Sequence, residues 1–599
     1  MSPFNPSFGA QLVAPNRTRF RLWAPDKAQA SVEIDGMAAL PMKRLDGGWF
    51  EAHAECGAGA RYRYRVEPGL AVPDPASRAQ AGDVHDASIV CDPGSYQWKN
   101  TDWNGRPWHE TVLYELHVGA FGGREGFRGV MRQLPALADI GITAVELMPV
   151  ADFPGPRNWG YDGVLPYAPD AAYGTPDQLK ELIDAAHGLG MMVFLDVVYN
   201  HFGPDGNYLG AYASSFFRDD IQTPWGQAID FRRREVRDFF TENALYWLHE
   251  FRFDGLRLDA VHAISERDWL VELAQRVRAS MPPQRHVHLV LENDDNSARL
   301  LERTPSRLFD AQWNDDMHHI VHVMLTGEHE GYYAGYVNQS SEKLARGLAE
   351  GFIYQGETSL YAGGALRGEP SAHLPPTSFV FFLQNHDQIG NRAFGDRLTT
   401  LADPHALRAA VALLLLSPQI PLLFMGEEYG ATQPFLYFTS HLTPQLADAV
   451  RSGRRQEFAR FSAFSDPARR ERIPDPNDEQ TFLDSIPKPD ADVAVAWRDW
   501  IKSLLDIRRT HIVPRLHAAQ ALGAEIIGKS AVKARWRMAD GKALMVAINL
   551  GAAPAPISYH RLADGQGGTI LFATGGVENS VPSNELPSNA FIAVLEASA

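Results

Sequence analysis

The chain has 599 residues, which exceeds the size at which one hydrophobic core stops growing, so several domains are expected. Its 73 acidic residues against 56 Lys and Arg give a net charge of -17, which argues against nucleic acid as a partner. The first residues lack a secretory signal pattern, and no window reaches about 18 consecutive apolar residues, so neither export nor membrane insertion is expected. With only Cys56 and Cys91, the chain fits a reducing cytoplasm and excludes a disulfide framework or a cysteine-rich metal site.

Short segments of alternating polar and apolar residues, separated by Gly, Pro and Asp, occupy the first part of the chain. They include Thr18–Trp23, Ala30–Ile34 and Arg61–Val66. This pattern predicts a small N-terminal, immunoglobulin-like β-sandwich over residues 1–95.

Apolar strand-like runs then alternate with amphipathic helical stretches. The predicted strands are Val112–Val118, Ile142–Pro149, Met191–Val198, Phe253–Asp259, Val287–Glu292, Leu308–Trp313, Ser378–Asn385 and Gln419–Met425. The predicted helices include Pro176–Leu189, Arg233–Glu250, Glu266–Ala279, Pro404–Leu416 and Val495–Arg509. Eight strand-helix units in strict alternation, with apolar strands typical of a buried parallel sheet, predict an α/β fold, a (β/α)8 TIM barrel over residues 96–515.

Two further segments follow the eighth strand. Residues 427–495 are rich in Pro, Asp, Arg and Phe and are too long for an ordinary loop, so we expect an insertion on the catalytic face of the barrel. Alternation returns in Ala531–Met538, Ala543–Asn549, Thr569–Phe572 and Ala590–Leu595, which predicts a C-terminal β-domain over residues 516–599.

Polar residues end four of the predicted strands, at the barrel face where such enzymes place their chemistry. They are Asp196, Asn200 and His201 after strand three, Arg257, Asp259 and His262 after strand four, Glu292 and Asn293 after strand five, and Asn385, His386 and Asp387 after strand seven. A single such residue is more often a helix cap or a loop hydrogen bond. Four strand ends of one barrel together indicate a catalytic site.

Cleavage of a glycosidic bond needs one carboxyl group to protonate the leaving oxygen and a second to attack or stabilise the sugar carbon. Strands four and five are neighbours, so Asp259 and Glu292 should face each other, and a separation of about 5 to 5.5 Å would make the enzyme retaining. Arg257 points to the same side of its strand as Asp259 and keeps that carboxylate ionised, which favours Asp259 as the nucleophile. Glu292 must be protonated to act as the acid, and crowding by Asp259 and Asp387 would raise its pKa. Asp387 remains as a third carboxylate for sugar hydroxyls and the transition state.

At these residues the chain resembles the α-amylase family, glycoside hydrolase family 13. The four short regions of that family correspond to Asp196–His201, Gly255–His262, Val290–Asn293 and Gln384–Asp387. The resemblance implies Asp259 as the nucleophile, Glu292 as the acid/base and Asp387 as the transition-state stabiliser. It also implies that His201, Arg257 and His386 contact the sugar at the cleavage point, above an aromatic platform formed by Tyr161.

Further residues in and beside these motifs are candidates for substrate binding. They are Asp196, Leu258, Ala260, Val261, His262, Gln388 and Asn391, together with Asn314, Asp315 and His318 at the sixth strand end and Glu427 after the eighth. The acidic and amide groups after strand six suit either sugar hydroxyls, a cation or a helix cap. No calcium-loop pattern lies nearby, so sugar binding is favoured and neither a metal nor another cofactor is expected.

Within the family, the chain is most similar to members that act on maltooligosyltrehalose. The likeness rests on Glu146–Asp162, on Gln384–Asn391 and on Phe424–Tyr429. It implies a monomeric hydrolase that cleaves the α-1,4 bond between a maltooligosaccharide and a terminal trehalose, releasing trehalose. A glucan branching enzyme shares the domain layout and the first half of the mechanism and remains an alternative, as does another transglycosylase or amylase. A non-catalytic carbohydrate-binding protein is disfavoured because all three carboxylates are present.

Overall fold

The computed structural model describes residues 6–223, 226–304, 307–360, 363–557, 568–574, 576–577 and 584–597. Two antiparallel sheets open the chain. One has the strand order Gly9–Ala14, Arg17–Trp23, Trp49–Ala54 and Lys43–Arg44, and the other contains Leu40–Pro41, Ser31–Ile34, Arg61–Glu67, Leu70–Val72 and Ser88–Ile89. The rings of Phe20 in the first sheet and Tyr62 in the second are 4.9 Å apart, so the sheets pack face to face as the predicted sandwich.

Eight parallel strands form a closed barrel, which confirms the predicted fold class. They are β1 (Leu113–Leu116), β2 (Ala144–Leu147), β3 (Met192–Val197), β4 (Gly255–Leu258), β5 (His288–Leu291), β6 (Ala311–Trp313), β7 (Phe379–Phe382) and β8 (Ile420–Phe424). Pairing of β1 with β8 closes the barrel. Each strand lies inside the range that its apolar run predicts.

The barrel interior is apolar at its lower levels and charged near the carboxyl ends of the strands. The apolar set comprises Leu113, Ala144, Met192, Phe194, Val290, Ala311, Trp313, Val380, Phe382, Ile420 and Leu422. Because side chains alternate across a strand, the next inward positions are Glu115 on β1, Glu146 on β2, Asp196 on β3 and Glu292 after β5. The charged layer therefore follows directly from the alternation of side-chain direction along each strand.

Helices surround the barrel in an outer layer. The principal ones are Gly126–Ile140, Pro176–Gly188, Arg234–His249, Arg267–Ser280, Asp315–Thr326, Ser340–Glu350, Pro404–Leu416 and Ala491–Ile507. Strict alternation is wrong at one place, because the described residues between β5 and β6 contain only the 3-10 turn Ala298–Leu301. The run Asn293-Asp-Asp-Asn296 there favours turns over helix, and Asn296 adopts a left-handed φ of 50°. Two helices instead lie between β6 and β7.

A further antiparallel sheet follows the barrel. Its strand order is Gln520–Gly528, Ala531–Arg537, Ala543–Asn549, Ala590–Glu596 and Gly568–Ala573, in agreement with the predicted C-terminal β-domain. Within the predicted domain ranges, residues 1–5, 558–567, 575, 578–583 and 598–599 lie outside the described residues. The segment after β8 forms helices at Pro444–Phe458, Pro467–Arg470 and Glu479–Asp484.

Candidate active site

A cavity of about 1020 Å³ lies at the carboxyl ends of the barrel strands. Its wall includes Tyr161, His201, Arg257, Asp259, Ala260, His262, Glu292, Asp315, His386, Asp387, Gln388 and Asn391, all of which are candidates from the sequence. These residues come from loops after six different strands. The strand ends meet at one face of the barrel, which is why residues far apart in the chain share one cavity.

Arg257 on β4 connects the carboxyl groups at the floor of the cavity. Its Nη1 donates to Asp196 Oδ2 and Asp259 Oδ1, both at 2.7 Å, and its Nη2 donates to Glu292 Oε2 at 3.2 Å. The guanidinium lies over the ring of Trp313, 4.4 Å from the centroid. The predicted contact between Arg257 and Asp259 is present, and the bond to Glu292 places the two candidate catalytic carboxyl groups side by side.

Asp259 sits in an environment that favours its ionised form. Burial alone would raise its pKa, but Arg257, His201 and a hydrogen bond from Asn200 Nδ2 outweigh burial and lower it. The Asn200 Nδ2 to Asp259 Oδ2 distance is 2.8 Å. Asn200 is a partner that the sequence motif contained but to which no role had been given.

The pKa of Glu292 is shifted in the opposite direction to that of Asp259. Burial is the largest cause that raises its pKa well above the usual range, and the charges of Asp259, Asp315 and Asp387 add to it. Arg257 acts in the other direction but does not prevail. Crowding by Asp259 and Asp387 is therefore present as predicted, but burial is the dominant cause and Asp315 is an additional contributor.

One strained residue holds the Glu292 carboxyl group in place. Ala260 has a left-handed backbone, with φ of 39° and ψ of 48°, which is uncommon for a residue with a side chain. Its backbone N–H donates to Glu292 Oε2 at 2.6 Å. The turn after Asp259 thus positions the carboxyl group that faces Asp259.

Tyr161 and His386 form one wall of the cavity. Their rings are stacked, with centroids 5.1 Å apart and planes at 25°. Tyr161 OH donates to Asp196 Oδ2 at 2.6 Å, and His201 Nε2 lies 2.9 Å from the Tyr161 carbonyl oxygen. Gly160 sets this position, because its φ is 106° and a Cβ there would lie 2.2 Å from the Pro149 carbonyl oxygen.

Some of the candidate binding residues do not line the cavity. Asp196 is buried and is used by Arg257 and Tyr161. Leu258 and Val261 are 1% and 0% exposed and pack in the core, because Leu258 points away from Arg257 on its strand. The alternation of side chains along β4 is a signal in the sequence that places Leu258 on the side opposite to Arg257.

The same holds for three polar candidates. Asn314 Nδ2 donates to the Gly351 carbonyl oxygen, and His318 Nδ1 lies 2.6 Å from the Leu383 carbonyl oxygen. The neighbouring His319, not His318, lines the cavity, since the two side chains project to different sides of their helix. Glu427 accepts hydrogen bonds from Gln384 Nε2 at 2.8 Å and from the Phe424 amide at 2.7 Å, so it supports the end of β8.

The cavity also contains residues that the sequence reasoning missed. Near Glu292 they include Asp294 and Arg367, which form an ion pair at 2.9 Å. Farther out, Tyr332, Tyr437, Arg454, Phe461 and Phe464 line the wall, the last four from the segment after β8. The aromatic and arginine content of that segment was a usable signal, whereas nothing in the sequence connected Arg367 to the site.

Two negative findings concern the described part of the chain. No three His, Cys, Asp or Glu side chains there are arranged to hold a metal ion. None of the helices in the described ranges is long and apolar enough to cross a membrane.

The closed barrel, its flanking β-domains and the paired carboxyl groups define a glycosidase of the α-amylase family. A model of the alpha amylase catalytic domain matches residues 99–220, and a domain of unknown function (DUF3459) matches residues 519–592. The malto-oligosyltrehalose trehalohydrolase of Deinococcus radiodurans is 44% identical over 477 residues, covering 78% of this chain and 76% of the relative. That of Saccharolobus solfataricus is 38% identical over 520 residues, covering 84% of this chain and 87% of the relative.

The chain belongs to the malto-oligosyltrehalose trehalohydrolase family. A crystal structure from Salmonella typhimurium, described as a candidate alpha amylase, has 43% identity and a TM-score of 0.92, covering 99% of this chain and 100% of that one. A 1,4-alpha-glucan branching enzyme of Streptomyces coelicolor is 35% identical, but over only 42% of this chain. The comparisons therefore favour the hydrolase over the branching enzyme.

Proposed function

We propose that the chain hydrolyses the α-1,4 bond between a maltooligosaccharide and a terminal trehalose, with release of free trehalose. The similarity to the relatives supports the assignment of the substrate, and the arrangement of the carboxyl groups supports the mechanism. The carrying observation is that one guanidinium, that of Arg257, bonds both Asp259 and Glu292 while their pKa values shift in opposite directions. Two adjacent carboxyl groups with different protonation states are what acid-assisted displacement at a sugar carbon needs.

In the first step, ionised Asp259 attacks the anomeric carbon of the last glucose unit of the maltooligosaccharide. The bond from that carbon to the trehalose oxygen breaks, and Glu292 donates its proton to this oxygen. In the second step, Glu292 takes a proton from water, the resulting oxygen nucleophile attacks the same carbon, and the ester with Asp259 breaks. Both carboxyl groups return to their starting states, and the outcome is retention of configuration.

Asp387 is proposed to bind hydroxyls of the sugar under attack. It lies in the first turn of the short helix His386–Gly390, which Asn385 caps by accepting from the Gln388 amide. Asn391 Nδ2 donates to Asp387 Oδ1, which orients the carboxylate, and among the described residues no hydrogen bond to the second oxygen is formed, which leaves that oxygen for substrate. Tyr161 would stack under the same sugar ring.

The two ends of the cavity suit the two parts of the substrate. The group that leaves lies on the Glu292 side, where Asp294, Asp315, Arg367 and His262 present many polar atoms for a disaccharide. The aromatic and arginine wall with Tyr437, Arg454 and Phe464 suits the longer glucan chain. We propose that trehalose occupies the first region and the maltooligosaccharide the second.

The decisive test is product analysis with two substrates. Maltooligosyltrehalose should give free trehalose and a maltooligosaccharide shortened by no other cleavage, measured by anion-exchange chromatography. Amylose supplied alone should acquire no new branch points. Branch points in amylose, with no trehalose from the capped substrate, would establish the branching enzyme instead.

The location of the chain in the cell is also part of this proposal. Cys56 and Cys91 are both unpaired, as expected in a reducing compartment. We therefore propose that the enzyme works in the cytoplasm, and fractionation of cells followed by immunodetection tests this.

A further inference from the structure

Two buried glutamates lie opposite each other beneath the cavity and differ in their partners. Glu115 on β1 and Glu146 on β2 are direct neighbours in the strand register, and each is 1% exposed. Neither lines the cavity. Glu115 accepts from the His386 amide at its Oε2, 2.9 Å away, and from the His386 ring Nδ1 at its Oε1. Glu146 has no hydrogen-bond partner for either oxygen among the residues that the structure describes.

These contacts indicate whether the surroundings of each glutamate favour its ionised or its protonated form. Glu115 accepts one N–H on each oxygen, which is the pattern of a carboxylate. Within the described part of the chain, neither oxygen of Glu146 has a donor to stabilise a negative charge, and burial, followed by the charges of Glu115 and Asp196, raises the pKa of Glu146 well above its usual range, which favours its neutral form. The barrel interior thus holds one negative charge at this pair, and that charge lies on the side of His386.

The charge of Glu115 affects the pKa of His386. Burial would lower its pKa, but the charge of Glu115 and the hydrogen bond to it, with Asp387, outweigh burial and raise it. The titratable and charged groups that face His386 from the surrounding elements are Glu115, Asp387, Arg257, Asp196, His117 and Tyr161. With Nδ1 bound to Glu115, Nε2 is the ring nitrogen left for the cavity, which His386 lines.

We propose that Glu115 is a positioning residue that holds the His386 imidazolium with its Nε2–H directed at the reacting sugar. A charged donor binds a sugar hydroxyl more strongly than a neutral ring, and only one ring orientation offers it. The bond from Glu115 to the His386 amide also fixes the first turn that carries Asp387. This inference rests on the proposed function, because it assigns His386 to the sugar at the cleavage point.

The two glutamates provide a matched pair of substitutions. Glu115→Gln removes the charge and one of two acceptors, so kcat/KM should fall by about 10- to 100-fold at neutral pH. Because the raised pKa keeps His386 charged to higher pH, Glu115→Gln should lower the pH at which His386 loses its charge. The alkaline limb of activity, to which deprotonation of Glu292 also contributes, should then move to lower pH. Glu146→Gln changes a carboxyl group of the same layer that makes no hydrogen bond to His386 and does not line the cavity, so it should leave both kcat/KM and the limb unchanged.

A second measurement needs no active enzyme and no Glu115 variant. In the unmodified chain labelled with 13C at histidine Cε1, the His386 signal, identified by its loss in His386→Asn, should titrate above the usual range of histidine. Titration at or below about 6.5 would overturn the inference. So would a His386 titration that Glu115→Gln leaves in place, or one that Glu146→Gln moves equally. Absence of trehalose release by the unmodified chain would instead refute the proposed function, while the titration would still test Glu115.

Discussion

Both ends of the barrel bury carboxyl groups, but the carboxyl end contains one, Glu292, whose pKa is shifted in the direction opposite to those of Asp254 and Asp310 at the amino end. At the amino end, Asp254 accepts from Trp103 Nε1, Arg285 Nη1, His187 Nε2 and the Val193 amide, at 2.8, 2.5, 2.9 and 2.9 Å. Burial would raise its pKa, but Arg285 and His187 prevail and hold it well below the usual range. At the carboxyl end, burial prevails for Glu292 and raises its pKa.

Asp310 before β6 repeats the arrangement at the amino end. Arg278 Nη2 donates to it at 2.6 Å and the Leu289 amide at 2.9 Å, and its pKa is likewise lowered because Arg278 and His288 outweigh burial. The difference between these two carboxylates at the amino end and Glu292 at the carboxyl end shows that burial alone does not make a carboxyl group reactive. Fully paired carboxylates stabilise the barrel, whereas incompletely paired ones keep a proton available for chemistry.

The largest expected effect is at the carboxyl end. Asp259→Asn removes the proposed nucleophile and should lower kcat by about 10⁴-fold or more. The measurement is trehalose release from maltooligosyltrehalose at saturating substrate, with circular dichroism as the check on folding. A variant that keeps wild-type turnover would contradict the assignment of Asp259.

Glu292→Gln should lower kcat by about 10³-fold, because the leaving oxygen loses its proton donor. The loss should be much smaller with a glycosyl fluoride, whose leaving group needs no protonation. Stability should be equal or higher at pH 7, since a carboxyl group with a raised folded pKa disfavours folding above its unfolded pKa. Equal losses of kcat on both substrates would argue against the acid role of Glu292. A large loss of stability in Glu292→Gln would contradict the proposed difference between the two ends of the barrel.

Asp254→Asn should have the opposite profile. It leaves Arg285 and His187 without their charged partner, so the free energy of unfolding should fall by about 3 kcal/mol, measured by denaturant titration. Activity per folded molecule should persist. A loss of activity without a loss of stability would show that the amino end takes part in the chemistry.

The acid dependence of stability follows from the same residue. A lowered folded pKa contributes stability above the unfolded value of about 3.9 and loses it as pH falls toward the folded value. Asp254→Asn should therefore make the melting temperature less dependent on pH between about 2 and 4 than in the unmodified chain. Identical slopes would show that Asp254 does not carry this dependence.

The smallest effect is expected at the outer wall of the cavity. Phe464→Ala should raise KM for long maltooligosyltrehaloses by about tenfold or less and leave kcat unchanged, because an aromatic contact contributes about 1 kcal/mol. Leu483→Ala, an exposed residue of the same segment that does not line the cavity, is the control. Equal KM values for long and short substrates would place the glucan chain elsewhere.

The sequence predicted the barrel strands well because each is a nearly continuous apolar run. The prediction of a helix between β5 and β6 was wrong. It followed from the strict alternation of strands and helices, whereas the Asn and Asp residues in that segment favour turns. For the site, motif spacing predicted Asp259, Glu292 and Asp387 in one cavity, since strand ends of a barrel converge. Spacing did not predict that Asp196 and Glu427 are used internally, because that depends on partners from other strands.

The sequence by itself therefore determined the fold class, the strand order of the candidate carboxylates and the likeness to glucan-cleaving enzymes. These features are local, and they follow from residue period and motif order. Only the tertiary structure decided that burial is the largest cause of the raised pKa of Glu292 and that Arg257 contacts both catalytic carboxyl groups, because burial and these distances depend on the packing of several strands. It also decided that Glu115, 271 residues before His386, is its partner, since closure of the barrel pairs β1 with β8, which in turn pairs with β7.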